Sequence, residues 1–329
     1  MNMQTQYMGL KLETPLIIGA SPLADDSDRV RALVGAGAGA VVMHSLFQEQ
    51  LDGEHFSTVY LREMYADAQP RQEDFIDPAA FRASPKEYLA QIERIKRAVE
   101  VPVIASLNGS RPGGWIRYAE HIQQAGADAL ELNLYAFPSD PTISGHDVER
   151  QMLDIIRMVA GSVRIPVAVK LSPFLSSLPH FAAAAQKAGA AGLVLFNRVY
   201  QVPEDFNASS AENAEPHPDG SHLQIRLYWL AVMAQHLNIS LAISGGVNTG
   251  TDVFKAIKAG AHAAQVVSAV LRHGPDALHD MLAEFQQSMG QQQCQSIEEL
   301  RGRMRFDQMP DPETCERVRY MRALQQWQT

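Results

Sequence analysis

Short apolar runs alternate along the chain with stretches whose apolar residues recur at helical spacing. The runs PLIIGAS, AVVMHS, VPVIASLNG, DALELN, IPVAVKLSP, AGLVLFN, ISLAISGGV and HAAQVV centre near residues 16, 40, 103, 129, 167, 193, 241 and 264. Most are β-branched and apolar on both faces, the pattern of buried parallel strands rather than half-exposed ones. The tripeptide Ala-Gly-Ala stands at 36–38, 125–127, 188–190 and 259–261, each time just before such a run. Stretches with helical spacing, such as WIRYAEHIQQ and FAAAAQKAG, lie upstream. A glycine there suits a helix C-cap, and its small neighbours allow a sharp turn into a buried strand. Helix, turn and strand repeat until eight strands are counted, which predicts an α/β fold of the closed (β/α)8 TIM-barrel type. A doubly wound open sheet is the competing architecture, but no GxGxxG follows the first strand.

Three stretches break the rhythm: 46–85, 134–147 and 198–222. They make long loops after strands two, four and six, at the strand ends where barrel enzymes place active-site loops. The last fifty or so residues read as the eighth helix and a helical tail. The expectation is therefore one domain over 1–329, with the barrel at about 10–285 and the tail at about 286–329.

Composition narrows the partners. A net charge of −9 argues against nucleic acid or an anionic membrane, since both need clustered cations. The N-terminus lacks the pattern of a signal peptide, and no run is long enough to span a bilayer. Cys294 and Cys315 are the only cysteines and have no metal-ligand spacing, so no metal is expected and a reducing cytoplasm is the simplest setting.

The candidate chemistry lies at strand ends. Ser244-Gly245-Gly246-Val247 closes strand seven and Gln265-Val266-Val267-Ser268 closes strand eight, where barrels commonly hold a phosphate on backbone N–H groups. Glycines at 245 and 246 would let the backbone approach an anion, although a tight turn without a ligand fits as well. Lys170, within apolar VAVKLSP, needs a partner if buried, and could stabilise negative charge on a reduced flavin. Asn133 and Asn197 end strands four and six and offer donor and acceptor to a planar ring with amide edges, or simply cap loops.

The ordered set TPLIIGAS, GAGAVVMHS, VIASLNGS, ALELNL, PVAVKLSP, LVLFN, ISGGVNTGTDVFKAIKAGA and QVVSAVLRHGP resembles the dihydroorotate dehydrogenase family over about residues 10–275. The resemblance implies an FMN-dependent barrel that oxidises dihydropyrimidine rings. It implies that Ala20 and Ser21 face the flavin through their backbone, with Ser45 and Asn108 also in the cofactor set. Asn133, Lys170 and Asn197 would then meet the isoalloxazine ring, and Gly245, Gly246, Val267 and Ser268 the phosphate.

Three positions depart from the family pattern. Ala136 in NLYAFPSD stands where the family has a Cys or Ser base, and alanine cannot take a proton. His44 in VMHS replaces the family's lysine, and Arg198 follows the strand-six asparagine in place of Ser or Thr. Tyr135 is the replacement acid nearest to the lost position, beside Ser139, Asp140, Ser144 and His146 on the same loop. With Lys170, it is the candidate catalytic residue. His44, Tyr135, Asn197 and Arg198 form the candidate substrate set. His44 and Arg198 could clamp an anion, or His44 could stack as a neutral imidazole.

These residues predict an FMN oxidoreductase that passes hydride through flavin N5 on a small cyclic or unsaturated substrate. The alternatives are an FMN-binding relay or sensor and a true dihydroorotate dehydrogenase with a replaced base. A barrel that reduces uridine in tRNA would require a catalytic cysteine and a basic surface, and the sequence shows neither. The expected partners are the small substrate, an electron-transfer protein and a second copy in a homodimer.

Overall fold

A computed structural model describes residues 1–51, 84–134, 136, 138–197, 221–304 and 312–325. Ten strands are described: β1 (Thr5–Tyr7), β2 (Leu10–Leu12), β3 (Leu16–Ile18), β4 (Ala40–Phe47), β5 (Val103–Gly109), β6 (Ala129–Leu134), β7 (Val167–Leu171), β8 (Gly192–Leu195), β9 (Ser240–Ser244) and β10 (Ala263–Val266). Strands β3 to β10 form a closed parallel barrel in chain order, with β10 returning to pair with β3. These are the eight strands that the sequence predicts, and the fold is a (β/α)8 barrel.

The helices are α1 (Ser27–Gly35), α2 (Pro85–Ala98), α3 (Tyr118–Gln124), α4 (Gly145–Ser162), α5 (Leu178–Lys187), α6 (Ser221–His236), α7 (Gly250–Ala259), α8 (Ser268–His273), α9 (Asp276–Gln291), α10 (Ile297–Leu300) and α11 (Pro312–Gln325). The Ala-Gly-Ala repeats end α1, α3, α5 and α7. Gly37, Gly126, Gly189 and Gly260 all take positive φ, between +94° and +118°. In each repeat the second alanine N–H reaches back five residues, as in Ala38 to Leu33 O, and the glycine N–H reaches back three, as in Gly37 to Val34 O. That paired closure satisfies the last carbonyls of the helix and turns the chain into the next strand.

Two details differ from the sequence reading. Strand β4 runs on to Phe47, so the loop after the second barrel strand starts later than residue 46. Residues 1–12 add an antiparallel hairpin, β1–β2, with Thr5 opposite Leu12. Its side chains Tyr7, Met8 and Leu12 pack into the lumen against Ile17, Val42, Ile104 and Val194, plugging the N-terminal end of the barrel. A larger apolar layer lies between the strands and the surrounding helices. No helix among the described residues is long and apolar enough to cross a membrane.

Candidate active site

The lumen changes character toward the C-terminal strand ends. Strand register sets Asn108 on β5 beside Asn133 on β6, and Asn133 beside Lys170 on β7. Asn197 follows β8, where its N–H donates to Leu171 O and its Nδ2 donates to Asn133 Oδ1 at 2.9 Å. The barrel thus brings Asn108, Asn133, Lys170 and Asn197 onto one contiguous arc of the rim. Asn133 and Lys170 are each 7% exposed.

Lys170 has the partner that its burial requires. Its Nζ donates to Glu131 Oε1 at 2.7 Å. Glu131 lies one inward-facing step below Asn133 and is 1% exposed. Gln265 on β10, diametrically opposite β6, donates its Nε2 to the other oxygen of Glu131. Gln265 Oε1 has no hydrogen-bond partner among the described residues. Sequence reasoning asks for a partner to Lys170 but does not find Glu131; an acid at the centre of ALELNL is the signal that identifies it.

The end of β4 carries the other polar group. His44 Nδ1 lies 2.7 Å from Asp25 Oδ1, at ion-pair distance but without the alignment of a hydrogen bond. The imidazole meets the Tyr88 ring edge-on, with centroids 5.2 Å apart. Burial raises the Tyr88 phenol, and its oxygen is tied to the Ser106 backbone. Ser45 Oγ sits 2.8 Å from Ser106 Oγ, so this hydroxyl bridges β4 and β5. Ser21 Oγ is turned onto Gly19 O at 2.9 Å, and Ala20 beside it is partly buried.

Gly245 and Gly246 take φ of +90° and +77°. A Cβ at Gly245 would stand 2.9 Å from Arg226 Nη2, and one at Gly246 would stand 3.2 Å from Leu223 N. The side-chain sides of both glycines therefore face α6, which leaves a Cβ little room, and their positive φ favours glycine even without a ligand. Arg226, which the sequence reading misses, is 6% exposed. Its Nε donates to Ser244 O at 2.6 Å, and its guanidinium stands 5.9 Å from the Phe196 ring centre. Burial lowers its pKa. On the neighbouring strand end, Val267 is the N-cap of α8 and no side chain caps it; the leading N–H groups of a helix have no intrahelical partner.

The family model for dihydroorotate dehydrogenase matches residues 2–289. The chain belongs to this family. The catalytic subunit of dihydroorotate dehydrogenase B (NAD+) from Thermoplasma acidophilum is 26% identical, over 92% of this chain and 98% of that one. The protein of the same name from Methanocella arvoryzae is 29% identical, over 80% of this chain and 85% of its own. That from Pyrococcus abyssi is 25% identical, over 91% and 98%.

Within this dihydroorotate dehydrogenase-family barrel the β6–α4 loop places the residues around the lost base position. The methyl group of Ala136 packs against the core. Ser144 caps α4 by accepting from Asp147 N, Asp140 accepts from Thr142 within a turn, and His146 lies on α4 itself. Ser144 and Asp140 thus have local structural roles, as the plainer reading of this loop expects. Tyr135 and Arg198 lie outside the described residues. A cleft of about 520 Å³ lies at the opposite end of the barrel, lined by Met8, Gln186, Asn238, Ser240, His262 and Arg301, with none of the rim residues. Among the described residues no group of three His, Cys, Asp or Glu is arranged to hold a metal.

Proposed function

We propose that the chain is an FMN-dependent oxidoreductase that acts on a carbon–carbon bond of a small cyclic or unsaturated substrate. The observation that carries this reading is the arc of Asn133, Lys170 and Asn197 on β6, β7 and β8. Its donors and acceptors suit an isoalloxazine, which presents a carbonyl–imide edge along one side of a flat ring. FMN would supply hydride acceptance and donation at N5. Lys170 has three N–H donors, and only one is needed for Glu131, so the others can face the N1/C2=O edge. Asn133 and Asn197 hold each other at the rim, which orients both amides for the ring or substrate. Ser45, Ala20, Ser21 and Asn108 would line the same ring. Gly245, Gly246, Val267 and Ser268 would give backbone N–H groups to the phosphate. His44, with Asp25 behind it, would face the substrate, and Arg198 and Tyr135 would complete that side.

The test is direct. Purified protein is expected to be yellow and to release FMN on denaturation; colourless protein that binds no added FMN refutes the reading. The B-type names of the relatives favour an electron-transfer partner protein, and a homodimer in the cytoplasm is the expected setting.

A second reading rests on Ala136. A methyl group packed on the core cannot act as a base, so turnover of dihydroorotate is expected to be low. Flavin reduction by dihydroorotate, followed at 450 nm beside other dihydropyrimidines, decides this. Rapid reduction would show that another residue, with His44 and Tyr135 the first to substitute, has taken the role of the base.

A further inference from the structure

The flavin reading leaves one buried charge without a task. Glu131 sits inside the lumen at 1% exposure, bonded to Lys170 on a neighbouring strand and to Gln265 on the opposite wall. From below, Tyr7 of the hairpin faces it. The Tyr7 phenol is pushed well above its ordinary value by burial first and by the Glu131 charge second. Its hydroxyl has no hydrogen-bond partner among the described residues. Gln265, an amide, can orient the carboxylate but not neutralise it, and among the described residues Lys170 is the cation paired with Glu131.

We propose that Glu131 is a positioning residue that sets the electrostatic field of Lys170 at the flavin, holding the ammonium under the rim while cancelling part of its charge. The inference rests on the flavin reading above. A lone cation beside the N1/C2=O edge would strongly favour the anionic reduced ring, because charges interact strongly in a site shielded from water. A carboxylate 2.7 Å behind that cation opposes it. The pair as a whole presents a dipole, not a full charge, and the bound flavin is kept easier to oxidise again. Gln265 makes the arrangement rigid by fixing the second carboxylate oxygen across the barrel.

The decisive measurement is the midpoint potential of bound FMN, by photoreduction against dyes of known potential, in wild type, Glu131→Gln, Lys170→Met and the double variant. Glutamine keeps an acceptor for Lys170 and removes the charge. Glu131→Gln is expected to favour reduced flavin by about tenfold, an upward shift of about 30 mV for a two-electron couple. Lys170→Met is expected to shift it about as far downward. The double variant, with the net charge of the wild type and no unpaired buried ion, is expected to lie within about threefold of wild type. An unchanged potential in Glu131→Gln, or a shift in the direction of Lys170→Met, overturns the proposal. An unchanged Lys170→Met also overturns it, and moves Lys170 away from the ring. A wild type that binds no FMN removes the functional reading itself, a result distinct from the other three.

Discussion

The two ends of the barrel lumen are made of opposite materials. At the N-terminal end, small and branched apolar residues such as Ala40, Val42, Ala168 and Ala242 meet the hairpin residues Tyr7, Met8 and Leu12. Toward the C-terminal end the same strands present Ser106, Glu131, Asn133, Lys170 and Gln265, all buried. Period-two alternation makes this possible, because each strand turns every second side chain inward at successive heights. Inside the lumen the floor is held by non-directional burial, which tolerates a side chain of similar size, with polar contacts such as Leu241 N–H to His262 at its margin. The rim depends on directional polar contacts, each of which leaves an orphan when cut. Substitutions at the two ends should therefore fail in different ways.

The largest expected effect is at the rim. Lys170→Met leaves the Glu131 carboxylate buried with Gln265 as its one remaining donor among the described residues. Breaking a buried ion pair from one side typically costs about 3–5 kcal/mol. The double variant Glu131→Gln/Lys170→Met should recover most of that loss, because no unpaired charge remains. Urea denaturation of the three proteins checks it. If the single variant is as stable as wild type, the rim is not built on charge pairing and the contrast with the floor collapses.

A smaller effect is expected from the floor, and it depends on pH. His262 stands at the start of β10, where the Leu241 N–H donates to its Nδ1 at 3.1 Å. Burial first, and the charge of Arg301 second, push its pKa from 6.5 down to about 4. A protonated ring could not accept the Leu241 bond, so the fold requires the neutral form. The folded pKa lies below the unfolded one, so the unfolded chain binds the extra proton first. The contribution is whole above about pH 6.5 and is lost as pH falls toward 4, with up to about 3 kcal/mol at stake. His262→Asn, which keeps an acceptor and cannot titrate, should flatten the stability profile between pH 6.5 and 4. An equally steep profile in that variant would assign the acid sensitivity to other groups.

How much of this could be read from the sequence differs between the two ends. Ala-Gly-Ala is legible because a left-handed helix cap accepts few residues besides glycine, and it falls at the same joint in four units. Lys170, Asn133 and Asn197 are legible because a polar residue closing an apolar strand is costly unless used. The hairpin is not legible, since β1 and β2 have three residues each, too short for alternation to stand out. Glu131 and Arg226 escape for another reason: their partners lie 39 and 18 residues away, and nothing local links them. The family resemblance follows the residues that build the barrel and its polar rim. The geometry adds what each polar residue leans on.

The smallest effect concerns Gly245, where two explanations of one residue can be separated. If the glycine is there only for an anion to approach, Gly245→Ala should weaken FMN binding and leave the apoprotein nearly untouched. The structure puts Arg226 on its side-chain side, 2.9 Å from where a Cβ would stand, and its φ is +90°. Alanine at such a φ is strained, and residues in sparsely populated backbone regions typically cost about 1–3 kcal/mol. The methyl group would also press on a guanidinium that is anchored to Ser244 O. The apoprotein itself should therefore lose stability in that range, with FMN affinity falling as a consequence of the displaced loop. Thermal denaturation of apo wild type and apo Gly245→Ala, in the absence of phosphate, measures the first term alone. An unchanged apoprotein would return Gly245 to the ligand and make the contact with Arg226 incidental. A destabilised one would show that the Gly245 loop is held in shape by its own backbone and by α6 before any ligand arrives.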